Sequence, residues 1–436
     1  MLLLELNDIA LSLSDDRQVH YQQPGVALAR GGELLFGDDA LAASRLHPLD
    51  SNDSYLQKLS AEPLPRPLEP ARNYADLVYR HLEQLAPHAG DEALAISVSS
   101  TTAAEQLAVL LGIAGEARLK VRSFVNRAVL YATTVAPEGE VTVVDIERHR
   151  LVLTTLDCGD QVSYRSHDSI SGAGALGILD SWTNLVADQF IRATRFDPLH
   201  SADSEQQLHN TMEHWRRHGD RQQRDLTIDI SLQGDTRSAS VATSALLAKT
   251  SARLSAVDQH LNGHPRLILT PTAAAFPGIF EHFTQHHDVL VASFDDRASA
   301  LRRHSKALAT DRVQLKTSLP RLAKAAPAAS QGHATAPGAA PASEPAADAA
   351  PPAAPAAVEA ITATHLLCRG SARPLPDAFV NLPLRLAGGG RIEVMEGVPI
   401  YTADGTRVLA ALTQLPCGLA FLIDGERYEL IAVQDG

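Results

Sequence analysis

The stretch Val141-Thr142-Val143-Val144-Asp145-Ile146 predicts a short buried strand that ends in an aspartate, because β-branched residues dominate it. The four residues after it, Glu147-Arg148-His149-Arg150, all have long or bulky side chains. In many nucleotide-binding folds the corresponding turn contains glycines, whose bare backbone amides can approach a phosphate. The sequence therefore has the skeleton of a nucleotide site without the expected phosphate contacts.

Composition and charge disfavour several functional classes. The chain has 436 residues, enough for two or three domains, and its formal net charge is −13. Nucleic-acid binding is not expected, since it needs Lys and Arg to neutralise phosphates. The three cysteines are far apart and form no CxxC pair, which predicts a reducing, cytoplasmic location. No stretch approaches the roughly 20 apolar residues of a membrane span, so direct membrane insertion is not expected.

A change in composition predicts the domain boundaries. Residues from about Leu322 to Val358 are mostly Ala and Pro, which is typical of an extended, mobile tether. We therefore predict a large domain at 1–315, a disordered linker at 316–358 and a small all-β domain at 359–436. In the last of these, Asp404-Gly405 and Asp424-Gly425 indicate hairpin turns, and Gly388-Gly389-Gly390 indicates a loop.

The region 1–315 alternates patterns of period two with patterns of period 3.6, which predicts an α/β fold. The predicted strands are Leu2–Leu6, Ile9–Leu13, Val26–Ala29, Glu33–Phe36, Ala93–Val98, Val141–Ile146, Leu151–Thr155, Leu226–Leu232 and Leu267–Thr270. The predicted helices are Tyr74–Leu85, Thr102–Leu111, Leu176–Phe196, Ser204–Arg217, Ser240–Leu261 and Gly278–Gln285.

Several short motifs occur in a defined order along roughly residues 1–310. They are Pro24-Gly25-Val26-Ala27-Leu28, Gly37-Asp38-Asp39-Ala40, Ala95-Ile96-Ser97-Val98, Asn126-Arg127-Ala128-Val129, Arg266-Leu267-Ile268-Leu269-Thr270 and Phe276-Pro277-Gly278. Their order resembles the actin, sugar-kinase and heat-shock-chaperone ATPase superfamily, and the closest likeness is to the ATPase domain of the DnaK-type chaperones. The resemblance implies a two-lobed, actin-like (ribonuclease H-like) fold with a nucleotide cleft.

The resemblance also implies three glycine-containing turns that hold ATP, and this chain departs from all three. The first turn should read Asp-x-Gly-Thr-Thr, but here it is Glu5-Leu6-Asn7-Asp8-Ile9. The second keeps Asp145 and then loses its glycines. The third should open with Gly-Gly, but Pro271-Thr272 stand there, and proline has no amide to donate. The positions of this degenerate cleft are Glu5, Asn7, Asp8, Asp145, Glu147, Arg148, Pro271 and Thr272.

These departures are large enough to remove nucleotide affinity. A charge-assisted hydrogen bond from an amide to a phosphate is worth roughly 1.5–3 kcal/mol. Losing several of them would erase micromolar binding, which corresponds to about 8 kcal/mol. Ordinary ATP hydrolysis is therefore not expected. One alternative remains, in which the guanidinium groups of Arg148 and Arg150 bind phosphate in place of glycine amides.

Other clusters of reactive residues are weaker. The i, i+4 spacing of His214 and His218 can bind zinc, but no acid lies between them, so these and the remaining clustered histidines (His209, His282, His286, His287) are predicted to lie on the surface. Lys58 aligns loosely with a catalytic lysine of the chaperones and is predicted to be a solvated surface residue. Ser171-Gly172-Ala173-Gly174-Ala175 either presents amides to an anion or simply precedes a helix.

The sequence thus predicts a non-enzymatic scaffold or adaptor that keeps an actin-like shape after losing ATP turnover. Protein partners are expected, with residues 359–436 as the candidate docking region, and neither a metal nor a cofactor is required. The alternative is a divergent regulatory switch that still binds Mg-ATP. A metal hydrolase built on the histidine clusters is remote.

Overall fold

The computed structural model describes residues 1–322, apart from 220–222, 233, 262 and 265, and also the backbone of eight strands between His365 and Ile431. The chain divides into two compact units, Met1–Ser330 and Gln331–Gly436. The first unit mixes helices and several sheets, which confirms the predicted α/β class. Most of the predicted Ala/Pro linker lies outside the described residues.

The first unit alternates strands with helices along its length. Its strands are β1 (Leu2–Glu5), β2 (Leu11–Ser14), β3 (Val19–Gln23), β4 (Ala27–Arg30), β5 (Glu33–Phe36), β6 (Ser51–Asn52), β7 (Pro63–Leu68), β8 (Ala71–Asn73), β9 (Ala93–Val98), β10 (Lys120–Asn126), β11 (Gly139–Ile146), β12 (Arg150–Cys158), β13 (Gln161–Ser171), β14 (Asp225–Leu232), β15 (Asp235–Ala242), β16 (Arg266–Leu269), β17 (Asp288–Val291), β18 (Leu315–Lys316) and β19 (Ser318–Pro320). Its helices are α1 (Gly37–Leu41), α2 (Tyr74–Ala89), α3 (Ala104–Glu116), α4 (Arg127–Val135), α5 (Ala175–Thr194), α6 (Ala202–His218), α7 (Thr243–Asp258), α8 (Pro271–Ala275), α9 (Ile279–Phe283) and α10 (Phe294–Leu308).

Two six-stranded sheets in this unit share the topology of five of their strands, and the sixth strand lies at opposite ends of the two sheets. The first has the order β3-β2-β1-β9-β10-β18, and the second has the order β19-β13-β12-β11-β16-β17. In each sheet three antiparallel strands are followed by two strands parallel to the first of them: β9 and β10 beside β1, and β16 and β17 beside β11. The turn after β1 and the turn after β11 therefore occupy equivalent positions in the two halves.

The apolar faces of both sheets contribute to a shared core around α4 and α10. Leu3 and Val125 of the first sheet lie in one buried cluster with Val143 and Ile268 of the second, together with the apolar side of α4. Complete burial of each such side chain contributes about 1.5–3 kcal/mol. This packing fixes the two sheets, and hence the two equivalent turns, relative to each other.

The end of the first unit is paired with both sheets. Leu315 and Lys316 in β18 run parallel to β10, and β19 pairs antiparallel with β13, where Leu319 is buried opposite Val162. The folded region therefore extends past the predicted boundary at residue 315, to at least Leu322. Pairing with strands more than 150 residues away has no local signature in the sequence.

Most predicted elements occur within a few residues of their predicted bounds, with one clear error. The predicted helix Ser240–Leu261 begins too early, because Ser240 to Ala242 belong to β15 and the helix begins at Thr243. The period-two alternation buries Ala239 and Val241 while Ser238 and Ser240 are exposed, as in a half-buried strand. The predictions gave no bounds for β3, β6, β7, β8, β10, β13, β15, β17, β18, β19, α1, α4, α8 and α10.

The second unit contains two four-stranded antiparallel sheets, in agreement with the strand-rich prediction. Its strands are β20 (His365–Cys368), β21 (Ser371–Pro374), β22 (Leu384–Arg385), β23 (Arg391–Met395), β24 (Val398–Ala403), β25 (Thr406–Val408), β26 (Ala420–Ile423) and β27 (Glu426–Ile431). Ala403 pairs with Thr406 and Ile423 with Glu426, at the positions of the two predicted hairpins. The predicted glycine loop at 388–390 lies outside the described residues. No helix in the described part of the chain is apolar over a membrane-spanning length.

Candidate functional site

The turn after β1 and the turn after β11 are hydrogen-bonded directly to each other. Asn7 Oδ1 accepts from the backbone N–H of Ile9 at 2.9 Å, which orients its Nδ2 to donate to the carbonyl of Ile146 at 3.0 Å. Asp8 Oδ1 accepts from the backbone N–H of Arg148 at 2.6 Å. The amide of Arg148, which would face phosphate in a nucleotide-binding turn, is therefore bound by a side chain of the opposite turn.

Arg127 links the same two turns through its guanidinium group. It is the first residue of α4, where Asn126 caps the helix by accepting from Val129 N–H at 3.2 Å. Its guanidinium donates to Asp145 Oδ2 and to the carbonyl of Leu6, each at 2.7 Å. Only 1% of the side chain is exposed, so this ion pair has no access to bulk water.

The third predicted turn is the start of a helix and holds Asp145 from another side. Thr270 caps α8 by accepting from Ala273 N–H at 3.3 Å, and its hydroxyl donates to Asp145 Oδ1 at 2.8 Å. Pro271 stands at the first position of α8, where a missing N–H costs nothing. Pro271 and Thr272 therefore begin a helix in place of the glycine turn that the resemblance implied.

Both arginines of the second turn are paired with carboxylates. Arg148 Nε donates to Asp53 Oδ2 at 2.8 Å, and His149 Nε2 lies 3.1 Å from the other oxygen of Asp53. Arg150 Nε donates to Glu147 Oε2 at 2.5 Å. The alternative in which Arg148 and Arg150 receive a phosphate is not supported by this geometry, because each guanidinium already has an anionic partner.

The N-terminus of α5 is also occupied by the second turn. The N–H groups of Ala175 and Leu176 donate to the carbonyls of Glu147 and Arg148, at 3.0 and 2.8 Å. The contact is so close that a Cβ added at Gly174 would lie 2.2 Å from the backbone nitrogen of Arg150. The interpretation of residues 171–175 as an anion site is therefore wrong for these two amides, which bond to protein carbonyls.

Burial controls the ionisation of the carboxyls between the turns. It raises the pKa of Asp8 to about 6. The negative charge of Glu147 also raises this pKa, whereas the hydrogen bond from the Arg148 amide lowers it. It also raises the pKa of Asp145 to about 7, even though Arg127 favours the anion. Burial acts in the same direction on Asp53, but the hydrogen bond from His149 and the charge of Arg148 hold its pKa well below the usual range.

Further contacts join the two halves at a second place, away from these turns. The residues concerned, 38–46 on one side and α5 and α6 on the other, are called the mouth contacts. Buried Gln206 accepts from the Arg45 N–H at 2.6 Å and donates to the Leu41 carbonyl at 3.2 Å. Two ion pairs support it, Arg45 with Asp180 at 3.1 Å and Arg217 with Asp38 at 2.7 Å.

A small recess remains beside the turns. It measures about 40 Å³ and is lined by apolar side chains such as Leu6 and Leu56, with Asp8, Glu147 and Arg150 at its polar side. That volume accommodates roughly three or four water molecules.

Glu5 stands apart from the other predicted cleft residues. Its carboxylate accepts from the hydroxyl of Tyr131 at 2.8 Å and from Arg297 at 3.3 Å, on the side of β1 that faces α4 and α10. The structure instead adds Arg127, Thr270 and Asp53 to the site. Arg127 and Thr270 had a signal in the sequence, since they lie in the Asn126-Arg127-Ala128-Val129 and Arg266-Leu267-Ile268-Leu269-Thr270 motifs, whereas Asp53 had none.

Two of the histidines that were predicted to lie on the surface are buried. His209 lies 3.8 Å from Glu205, and burial lowers its pKa to about 3. His282 is held between Ser251 at 2.8 Å and Asp258 at 2.9 Å. Lys58 is exposed, as predicted. Among the described residues no group of three or more His, Cys, Asp or Glu side chains is arranged to hold a metal ion.

The residues at this site do not fit Mg-ATP. A triphosphate needs backbone amides or cations that face it, whereas the second-turn amide of Arg148, the α5 amides and both turn arginines are engaged within the protein. Asp8 and Glu147 add buried carboxylates between the two turns, and their negative charge would repel a phosphate there. Comparison with protein-family models and with curated proteins gives no match for this chain.

Proposed function

We propose that this protein is a catalytically degenerate, actin-fold relative of the chaperone ATPases that acts as a scaffold or adaptor in a protein assembly. The fold part of the proposal is supported by the repeated topology of the two sheets. In each, three antiparallel strands precede two parallel ones, which is the arrangement expected of a ribonuclease H-like repeat.

The observation that carries the proposal is the direct bonding between the two turns. An ATPase of this type would present donors from both turns to one ligand. Here Asp8 of the first turn accepts from Arg148 of the second, and Arg127 bridges Leu6 and Asp145. Hydrogen bonds that involve charged groups contribute about 1.5–3 kcal/mol each, so opening the turns for a nucleotide would first have to overcome several of them.

This arrangement supports a scaffold role, because the turns bond to each other without a ligand. In a nucleotide-dependent switch, binding shifts the protein between two states by its differential affinity for them. The turn-to-turn bonds and the mouth contacts stabilise a single arrangement without nucleotide. A fixed shape suits a protein that positions partners, and no observation favours the divergent Mg-ATP switch.

Thermal unfolding of the full chain with 1 mM Mg-ATP tests the closed cleft. A site with a Kd of 10 µM would stabilise the protein by about 2.7 kcal/mol at that concentration, an easily measured shift. We expect no shift, and calorimetric titration should detect no binding in the micromolar range. Micromolar binding that disappears in an Asp145→Asn variant would overturn the proposal.

The variants Asp8→Gly and Glu147→Gly, separately and together, ask whether the turns alone block the site. We expect lower stability without nucleotide binding, because the α5 amides and Arg127 remain engaged. The adaptor role is tested by affinity purification of the full chain from its native cells. Recovery of stoichiometric partner proteins supports it, and recovery of the chain alone contradicts it.

A further inference from the structure

The outer strands of the two six-stranded sheets are protected unequally. In the first sheet β18 is only two residues long, and the register of β3 shifts opposite β2 between Leu13 and Ser14. In the second sheet β19 carries Pro320, which cannot donate a hydrogen bond. Short strands, bulges and prolines are common means of blocking further strand pairing. The remaining outer strand, β17, is four residues long and has neither a bulge nor a proline.

The backbone of β17 leaves two residues open on its outer side. Ile268 pairs with Leu290 in the parallel register, and Ala292 N–H donates to the Leu269 carbonyl at 2.9 Å. Because successive residues of a strand point their backbone groups to opposite sides, Leu290 and Ala292 face β16. The N–H and C=O groups of Val289 and Val291 therefore point away from the sheet, and β17 is the last strand on this side of the described sheet.

Exposed apolar side chains accompany these open backbone groups. Val291 is 42% exposed and Phe294 is 52% exposed, three residues further along the chain. Phe294 is held in place by the guanidinium of Arg297, 4.9 Å from its ring centroid. An exposed apolar outer strand of this kind is a template for pairing with another chain.

Acidic side chains flank this apolar segment on both sides. Asp288 precedes it and Asp295 follows it, and neither forms an ion pair with any described residue. Arg266, the register partner of Asp288 on β16, donates instead to the Glu138 carbonyl at 3.2 Å. Asp296 accepts from Ser293 as part of the helix cap and is not free. The surface thus has an apolar centre and two unpaired negative ends.

We propose that β17 is a strand-addition site for an extended segment of a protein partner, apolar at its centre and with Lys or Arg at its ends. Main-chain hydrogen bonds to Val289 and Val291 would supply affinity, and the ends would select the basic partner. Charge disfavours a second copy of this chain, since antiparallel pairing of two β17 strands brings Asp288 of each copy towards the Asp295 end of the other. As the partner site of an adaptor, this surface rests on the proposed function.

The test uses the full chain and a fluorescein-labelled peptide, Lys-Lys-Val-Thr-Val-Thr-Val-Lys-Lys, in a fluorescence anisotropy titration. We expect saturable binding that is at least tenfold weaker for the same peptide with Glu in place of each Lys. Val291→Pro removes an N–H that points away from the sheet, so it leaves the β16 pairing intact and should weaken binding at least tenfold.

A second pair of variants keeps the test decisive if the proline variant does not fold. Val291→Lys places a like charge in the path of the basic peptide and should weaken binding at least tenfold. Val19→Lys changes a valine of matched exposure, 44%, on β3 and should leave binding unchanged. The double variant Asp288→Lys/Asp295→Lys should reverse the preference and select the Glu-flanked peptide.

The outcomes separate this inference from the proposed function. Equal binding to wild type and Val291→Lys, or equal binding of the two peptides, overturns the strand-addition site. So does self-association in sedimentation that Val291→Lys abolishes while the peptide does not bind. If neither the peptide nor ATP binds, the strand-addition site is overturned and the closed-cleft proposal is retained. Micromolar ATP binding overturns the closed-cleft proposal whether or not the peptide binds.

Discussion

The turns after β1 and β11 occupy equivalent positions in the repeated five-stranded parts of the two sheets, yet they carry different side chains. The first turn supplies the carboxylate of Asp8 as an acceptor and the side-chain amide of Asn7 as a donor, whereas the second supplies the N–H of Arg148 and the carbonyl of Ile146. Two turns that both presented only donors would need an anion between them. Because each turn gives the other both a donor and an acceptor, the fold can keep its closed arrangement without a ligand.

The largest expected effect comes from removing the residue that both turns share. Arg127→Leu leaves Asp145 buried beside Glu147 without its cation, and breaking a buried pair costs about 3–5 kcal/mol. Urea unfolding monitored by circular dichroism measures the loss. The double variant Arg127→Leu/Asp145→Asn should recover part of it, because no unpaired charge remains. A loss below about 1 kcal/mol for the single variant would show that the bridge does not hold the turns.

The aromatic cluster of the first half contains a buried histidine, so acid is expected to destabilise this cluster. His81 lies between the hydroxyls of Tyr21 and Tyr55, at 2.8 and 2.6 Å, whereas the second half packs Trp182 against Trp215 and Phe276. Burial lowers the pKa of His81 from 6.5 to about 4. As the pH falls, His81 is therefore protonated in the unfolded chain before it is protonated in the folded protein. The stability that the neutral His81 contributes is fully present above pH 6.5 and is lost as the pH falls towards 4.

The loss attributable to His81 is on the order of 3 kcal/mol by pH 4. It is measured as the difference in unfolding free energy between wild type and His81→Gln across pH 4–8. The comparison is needed because the raised pKa values of Asp8 and Asp145 act in the opposite sense, and their contribution diminishes as the pH rises from about 4 to 7. Parallel pH profiles for the two proteins would contradict the role of His81.

A glycine substitution tests how tightly the second turn packs on α5. Gly174→Ala places a methyl group against the backbone of residues 148–150 and should cost about 1–3 kcal/mol, since no side chain can move aside. Gly112→Ala is the matched control, because nothing lies within 4 Å and the residue is inside α3. The control should stabilise the protein by about 0.5–1 kcal/mol. If neither substitution changes the free energy of unfolding, the second turn is loosely packed.

The smallest expected effect lies at the mouth contacts. Arg217→Ala removes an ion pair with Asp38, whose side chain is 52% exposed, and such pairs contribute at most about 1 kcal/mol. The same urea titration measures it, with Gln206→Leu as the comparison, because buried Gln206 holds backbone groups on the opposite side. If Arg217→Ala proves more disruptive than Arg127→Leu, the mouth and not the turns closes this protein.

Local sequence patterns were sufficient for much of the first unit. The Asn7-Asp8 turn between two strands, the strand that ends at Asp145 and the helix that begins near Leu176 all follow from periodicity and turn residues. The error at Ser240 arose where a strand and a helix adjoin without a break. The histidine error at His209 and His282 arose because burial depends on what packs against a helix face, which helical spacing alone does not reveal.

The sequence by itself determined most of the strands and helices and the side chains that the turns carry. Under the proposed relationship to the chaperone ATPases, Asn7, Asp8, Glu147 and Pro271 stand at positions that would otherwise present amides to a phosphate. Only the tertiary structure decided what the turns do instead. Asn7 and Asp145 are 138 positions apart, and Arg127 and Thr270 reach Asp145 from separate elements. Their pairing depends on how two sheets pack around α4, and no local pattern encodes that packing.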